Sequence, residues 1–192
     1  MPPTVFPPDL ATRLEPIHAE VPSLDGFEPA AVLATILSGE GEDRVLLIER
    51  PRSLNVHGGQ LAFPGGKREP GDRDLLMTAL RESHEEVGLD AHDVQVLGRL
   101  EPVPTPSRFF IVPFVGRVTP GWVPTPNPAE VAAIVTPSVA TLCDPSIHHV
   151  GDVRRWRGID YKLHEFSIHD PPLWGATARM VWELLERSGL VS

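Results

Sequence analysis

Two apolar runs, at residues 30–37 and 44–50, flank Ser38-Gly39-Glu40-Gly41-Glu42-Asp43, a turn-rich bridge that predicts a β-hairpin. Residues 51–62 are polar and glycine-containing and read as a loop. From Asp74 to Val87 there is no Gly or Pro, which predicts one uninterrupted helix. Leu76, Leu80, Ser83 and Val87 recur at steps of three to four and form its inner stripe. Apolar runs at 94–100, 109–118 and 130–135 predict three more strands, and 137–143 opens with a helix-compatible proline. A second hairpin is predicted from 148–156 and 161–167 around Arg157-Gly158-Ile159-Asp160, and 177–187 is an amphipathic closing helix. This order predicts an α/β (α+β) fold in which a mixed β-sheet is sandwiched by helices. Residues 1–28 are Pro-rich and weakly patterned, with a short helix near 9–14; they read as an arm packed on a domain spanning 29–192.

The side of the first helix away from the stripe carries the chemistry. Glu82, Glu85 and Glu86 stand at i, i+3 and i+4, with Cβ atoms about 5–6 Å apart. Ionised carboxylates at that spacing repel by about 3 kcal/mol per pair at an effective dielectric of about 20. A folded chain gathers them where a cation compensates, and a hard divalent metal suits an all-oxygen donor set. A solvated helix face is the plain alternative.

Charge and composition narrow the partners. The 192 residues fit one domain, and a net charge of −9 argues against a nucleic-acid or anionic-membrane surface. A phosphorylated substrate must then be attracted locally, by metal or by Arg. The lone Cys143 cannot form an intramolecular disulfide and favours a reducing cytoplasm; it reads as a small buried apolar residue, not a nucleophile. No apolar run approaches a membrane span, and the N-terminus lacks the pattern of a signal peptide, so a soluble cytoplasmic protein is expected. The oligomeric state is left open, a homodimer included.

The stretch Arg81-Glu82-Ser83-His84-Glu85-Glu86-Val87-Gly88-Leu89 resembles the signature of the Nudix hydrolases, with Ser83 in an apolar slot. The first half of the signature departs more: counted from Gly66, Asp72 stands in the early Glu position and eight residues, not seven, precede Arg81. The expansion looks like the coenzyme A diphosphatase subgroup, as do Leu46-Leu47-Ile48-Glu49-Arg50, His57-Gly58-Gly59-Gln60, Phe63-Pro64-Gly65-Gly66 and Leu173-Trp174-Gly175-Ala176-Thr177-Ala178-Arg179. In that subgroup's pattern, Ile48, Pro51 and Asn55 replace Thr, Ser and a second Arg.

The resemblance implies a Nudix-type α/β/α sandwich containing the Nudix helix. It implies Mg²⁺-dependent cleavage of the pyrophosphate of coenzyme A or its thioesters, with Mn²⁺ able to substitute. Rival readings are the same chemistry on ADP-ribose, NADH or nucleoside triphosphates, and a non-catalytic nucleotide sensor. Glu82 and Glu86 are the first-choice metal ligands, with Glu85 sharing a metal or acting as base and a Gly65-Gly66 bend offering a carbonyl, assigned to Gly66. Arg81 orients a catalytic Glu or merely pairs with Glu85. Glu130 is a candidate base or further ligand from outside the helix. Asp72 is expected to cap the helix, with Asp74 its competitor. Arg50, Arg52, Lys67 and Arg108 are candidate phosphate contacts, and His57 a candidate substrate contact. Phe109 and Phe110 could stack on adenine, at least one being core. His148-His149 lacks a third ligand at zinc spacing, Trp156, Trp174 and Trp182 read as packing residues, and an Asp-rich calcium loop is absent.

Overall fold

The computed structural model describes residues 5–21, 23–52, 58–156 and 159–192. Strands β1 (Glu28–Ser38) and β2 (Asp43–Glu49) form the expected antiparallel hairpin, in register from Thr35 opposite Leu46 to Ser38 opposite Asp43. On its other edge β1 runs parallel to a long later strand, Phe109–Val118, from Glu28 opposite Phe109 to Leu37 opposite Val118. Between them in sequence come the short β3 (Leu61–Ala62) and β4 (Gly65–Lys67), helix α1 (Leu75–Val87), β5 (Val94–Arg99) and β6 (Val103–Pro104), which makes Phe109–Val118 β7. β8 (Ala133–Val135) and α2 (Val139–Leu142) follow. The sheet order is β3-β2-β1-β7-β5, with β4 paired to β1, β6 to β7 and β8 to β2. β9 (His148–Trp156), β10 (Ile159–Phe166) and β11 (Leu173–Trp174) form a separate antiparallel sheet, and α3 (Gly175–Ser188) closes the chain.

Period-two alternation along the central strands builds both cores. Ala34, Ile36, Val45, Leu47 and Val115 face one side, where Ala178, Val181, Leu184 and Leu185 of α3 cover them. Ala31, Leu33, Leu46, Ile48, Val112 and Phe114 face the other, against Ala79 and Val87 of α1. The mixed sheet sandwiched by helices is therefore the observed architecture. Phe6 and Leu10 of the N-terminal segment bury in the α3-side core, its helical part being a short 3-10 turn over Leu10–Arg13.

Several boundaries differ from expectation. Residues 130–132 turn rather than extend, because the Val131 N–H donates to the Asn127 C=O, and β8 begins at Ala133. The 51–62 loop ends in β3, and two-residue strands such as β3, β6 and β11 are too short for periodicity to reveal. The α1 stripe is also shifted: Thr78, Ala79, Ser83, Glu86 and Val87 are buried, while Leu76 and Leu80 are half-buried at the core's margin. Trp174 is 47% exposed and does not pack in the core. Cys143 is half-buried, and burial raises its thiol pKa. Arg157 and Gly158 of the predicted hairpin turn, and the Trp156 side chain, lie outside what is described.

Helix α1 stops at Gly88, whose φ of 69° lies in the left-handed region. The Gly88 N–H donates to the His84 C=O and the Leu89 N–H to the Ser83 C=O, a Schellman-type end that buries Leu89. A Cβ on Gly88 would lie 3.2 Å from Thr125 Cβ. Gly88→Ala is therefore expected to lower stability by about 1–2 kcal/mol through the left-handed backbone alone, read as an earlier denaturant midpoint; an unchanged midpoint would refute this account of the helix end.

Candidate active site

Asp74, not Asp72, caps α1: its Oδ1 accepts from the Met77 N–H at 2.8 Å. Asp72 has a different task. It is 4% exposed and grips Arg81 with both oxygens, Oδ1 from Nε at 3.0 Å and Oδ2 from Nη2 at 3.1 Å. The Glu69 N–H and Thr78 Oγ1 also donate to it, each at 2.9 Å. Those bonds, the Arg81 guanidinium foremost, outweigh burial and hold the Asp72 carboxyl well below the usual range. Arg81 is thereby fixed with Nη2 on the Lys67 C=O and Nη1 3.0 Å from both Glu82 Oε1 and Glu85 Oε2. The Arg81–Glu85 ion pair at i, i+4 is present as one arm of a five-group clamp that also holds Glu82.

Glu86 departs furthest from expectation. It is 2% exposed, on the inner side of the helix, where its Oε2 accepts from the Gly65 N–H at 2.9 Å. Its other oxygen lies 4.0 Å from Arg50 Nη1. Burial first, then the Glu82 charge, push its pKa up to about 8 against the pull of the Gly65 N–H and Arg50. Burial likewise raises Glu82.

The diglycine bend is shaped by this helix. Ala31 pairs with Gly66 in the β1–β4 ladder, the Leu33 N–H donates to the Pro64 C=O and the Arg68 N–H to the Pro29 C=O. Alternation in an antiparallel pair turns the Gly66 backbone groups toward β1 and those of Gly65 and Lys67 toward α1. The carbonyl facing the carboxylates is thus that of Gly65, a correction to Gly66. Gly66 contributes by what it lacks, since a Cβ there would overlap the Glu82 carboxylate.

Glu130 reaches the helix through backbone. The Thr125 N–H donates to the Val87 C=O at 2.8 Å and the Asn127 N–H to the Glu86 C=O at 2.9 Å, pinning the 125–130 turn to the end of α1. Carboxylate oxygens of Glu82, Glu86 and Glu130 then lie within 4.8 Å of one another. Three hard oxygen donors, one buried, converge with limited cationic compensation, which fits a divalent cation. Glu85 is exposed and stands outside this trio. Asn127 was not expected to matter; Asn127-Pro128 reads as an ordinary turn, and nothing local announces its bond to Glu86.

The candidate phosphate contacts divide. Arg50 joins the cluster. Arg52 points elsewhere, 3.6 Å from Glu49 and donating to the Asp170 C=O at 3.2 Å. Lys67 pairs with Glu28 at 2.9 Å, its ammonium 4.9 Å from the Phe109 ring centre. Arg108 is exposed at φ 64° in the turn before β7. Phe109 and Phe110 are both half-buried, so neither is core. His57 and Asn55 lie outside the described residues.

Residues 27–155 match the NUDIX domain. The chain belongs to the Nudix hydrolase family. It is 36% identical over 163 residues to a Photorhabdus laumondii protein named uncharacterized Nudix hydrolase NudL, covering 85% of this chain and 86% of that one. It is 38% identical over 164 residues to Nudix hydrolase 15, mitochondrial, of Arabidopsis thaliana, covering 80% of this chain and 57% of that longer relative. A solved MutT/nudix family protein from Enterococcus faecalis superimposes with a TM-score of 0.54 at 14% identity, covering 88% of this chain and 64% of that one, which speaks to the fold. Nudix hydrolases act on pyrophosphate bonds and generally use a divalent metal, and two of the three clustered acids, Glu82 and Glu86, sit on the helix that carries the family signature, with Glu130 joining them from the 125–130 turn.

Two outcomes test the site. With the metal absent, protonated Glu86 stabilises the fold fully below about pH 4.5, and that stabilisation is lost as pH rises through about 8. A divalent cation replaces the proton, so millimolar Mg²⁺ should raise the melting temperature more at about pH 9 than at about pH 6; the opposite trend would remove Glu86 from the ligand set. Gly66→Ala displaces the flexible end of Glu82 and should leave the circular dichroism unchanged while cutting turnover about 10²-fold. Normal turnover would mean that the position of Glu82 is immaterial.

Proposed function

We propose that this chain is a Mg²⁺-dependent diphosphatase that cleaves the pyrophosphate bond of coenzyme A and its thioesters, giving 3′,5′-ADP and a 4′-phosphopantetheine. Mn²⁺ substitutes for Mg²⁺. The observation that carries the hydrolytic reading is the convergence of Glu82, Glu86 and Glu130 beside Arg50. These carboxylates and the Gly65 C=O would hold the cation, which when bound polarises phosphoryl oxygens and lowers the pKa of water. Arg50 would donate to a phosphoryl oxygen, its guanidinium being suited to bidentate contact. Glu130 is better placed than Glu85 to take the proton from the attacking water, because Glu85 is tied to Arg81. The Asp72–Arg81 clamp orients Glu82.

Choice of coenzyme A rests on the segment Leu46 to Gly66, the one-residue expansion before Arg81 and the stretch Leu173 to Arg179. Leu46, Leu47 and Phe63 of that resemblance are core residues, at most 1% exposed, and among its described residues Arg50, Gly65 and Gly66 stand at the acid cluster. The reading assigns the reaction to a reducing cytoplasm, in keeping with one cysteine. ADP-ribose, NADH or nucleoside triphosphates are the rival substrates, and a sensor without catalysis is opposed by retention of all three helix acids, Glu82, Glu85 and Glu86. With a panel of these compounds and Mg²⁺, coenzyme A should give the highest kcat/KM, and preference for ADP-ribose would overturn the choice. Glu86→Gln should lower turnover at least about 10²-fold with the fold retained; a wild-type chain hydrolysing none of the panel would favour the sensor.

A further inference from the structure

On the opposite face of the main sheet from the acid cluster, α3 and the β9–β10 hairpin enclose a groove of about 690 Å³. Arg179, Trp182, Glu183 and Glu186 line it from α3, at spacings that share one helix face. His148, Val150, Lys162 and His164 line it from the hairpin. The β9–β10 register passes from Val150 opposite His164 to Val153 opposite Lys162, so an extra residue in β9 keeps both valines on this face. Both are exposed, 49% and 59%.

The polar groups are unevenly satisfied. Arg187 engages Glu183 at 2.9 Å, Glu15 at 3.2 Å and Glu101 at 3.3 Å, which occupies the acids at one end, and Glu186 is exposed at the rim. Lys162 and Arg179, which both act electrostatically on His164, have no carboxylate within ion-pair distance among the described residues, although Arg179 also acts at longer range on Glu183. His148 Nε2 and His164 Nδ1 share a hydrogen bond at 3.0 Å, and Trp182 stacks on His148 at 4.1 Å. Burial and the neighbouring cations keep His164 neutral, its pKa near 4. When His148 donates in that bond, His164 presents Nε2–H as a donor. Two cations and an N–H donor then stand beside an apolar strip and an aromatic wall.

We propose that this groove is a second, non-catalytic binding site for an organic anion, its phosphate or carboxylate head held by Lys162, Arg179 and the His164 Nε2–H and its apolar body lying along Val150 against Trp182. Titration calorimetry on the full chain with phenyl phosphate, hexanoate and inorganic phosphate tests it, repeated in Glu86→Gln to separate it from the acid cluster. Saturable binding of phenyl phosphate identifies a phosphomonoester site and binding of hexanoate a carboxylate site; either is expected to survive Glu86→Gln and to weaken at least tenfold in Lys162→Gln/Arg179→Gln. The double variant changes two side chains at the groove, so its fold is checked by melting temperature, and His164→Phe provides an independent loss of the donor. Absence of binding by both organic anions, or binding unaffected by the double variant, overturns the proposal. Because Glu86 lies outside the groove, binding measured in Glu86→Gln reads the groove alone, so failure here is distinguishable from failure of the proposed activity.

Discussion

Everything at the acid cluster follows from burying one carboxylate beside others. Glu86 has almost no solvent contact, and desolvation alone drives it toward the neutral acid. The fold offers it the Gly65 N–H and the Arg50 guanidinium at 4.0 Å, which soften the penalty without cancelling it. A site with this residual need suits the proposed cation for the same reason that it suits a proton. The two would compete for one oxygen pair, which would tie metal occupancy to pH.

Positional accuracy comes from groups that never meet a ligand. Asp72 sits in the position where the family pattern has Glu, and its shorter side chain still grips Arg81 with both oxygens. Thr78 and the Glu69 N–H hold Asp72 itself, so the guanidinium between Glu82 and Glu85 cannot drift. The 125–130 turn is equally constrained, hung from the last carbonyls of α1. One helix end therefore positions both the acids that it carries and the one delivered from elsewhere.

The main sheet keeps its two faces separate. Period-two alternation sends neighbouring residues of β1 and β2 to different cores, so the α1 side holds the acids and the α3 side holds the groove. Glu49 and Arg50 show this at adjacent positions: Arg50 reaches the acid trio, while Glu49 faces Arg52 and His169.

The linear pattern by itself determined the long strands, both major helices, the sandwich and the presence of a carboxylate-rich helix, because these depend on local periodicity and on spacing along one element. It did not determine which glutamate is buried. Helical spacing puts Glu82, Glu85 and Glu86 on one broad face, and packing against β4 turned Glu86 inward and left Glu85 outside. The cap was open between two aspartates until Arg81 claimed Asp72. The carbonyl facing the acids was decided by strand register, and Glu130 was recruited by backbone hydrogen bonds spanning about forty residues, from Glu86 to Asn127. The groove under α3 joins residues from 101 to 192 and has no sequence signature at all. Short-range order is written in the chain, whereas burial, register and long-range contact exist once the chain has folded.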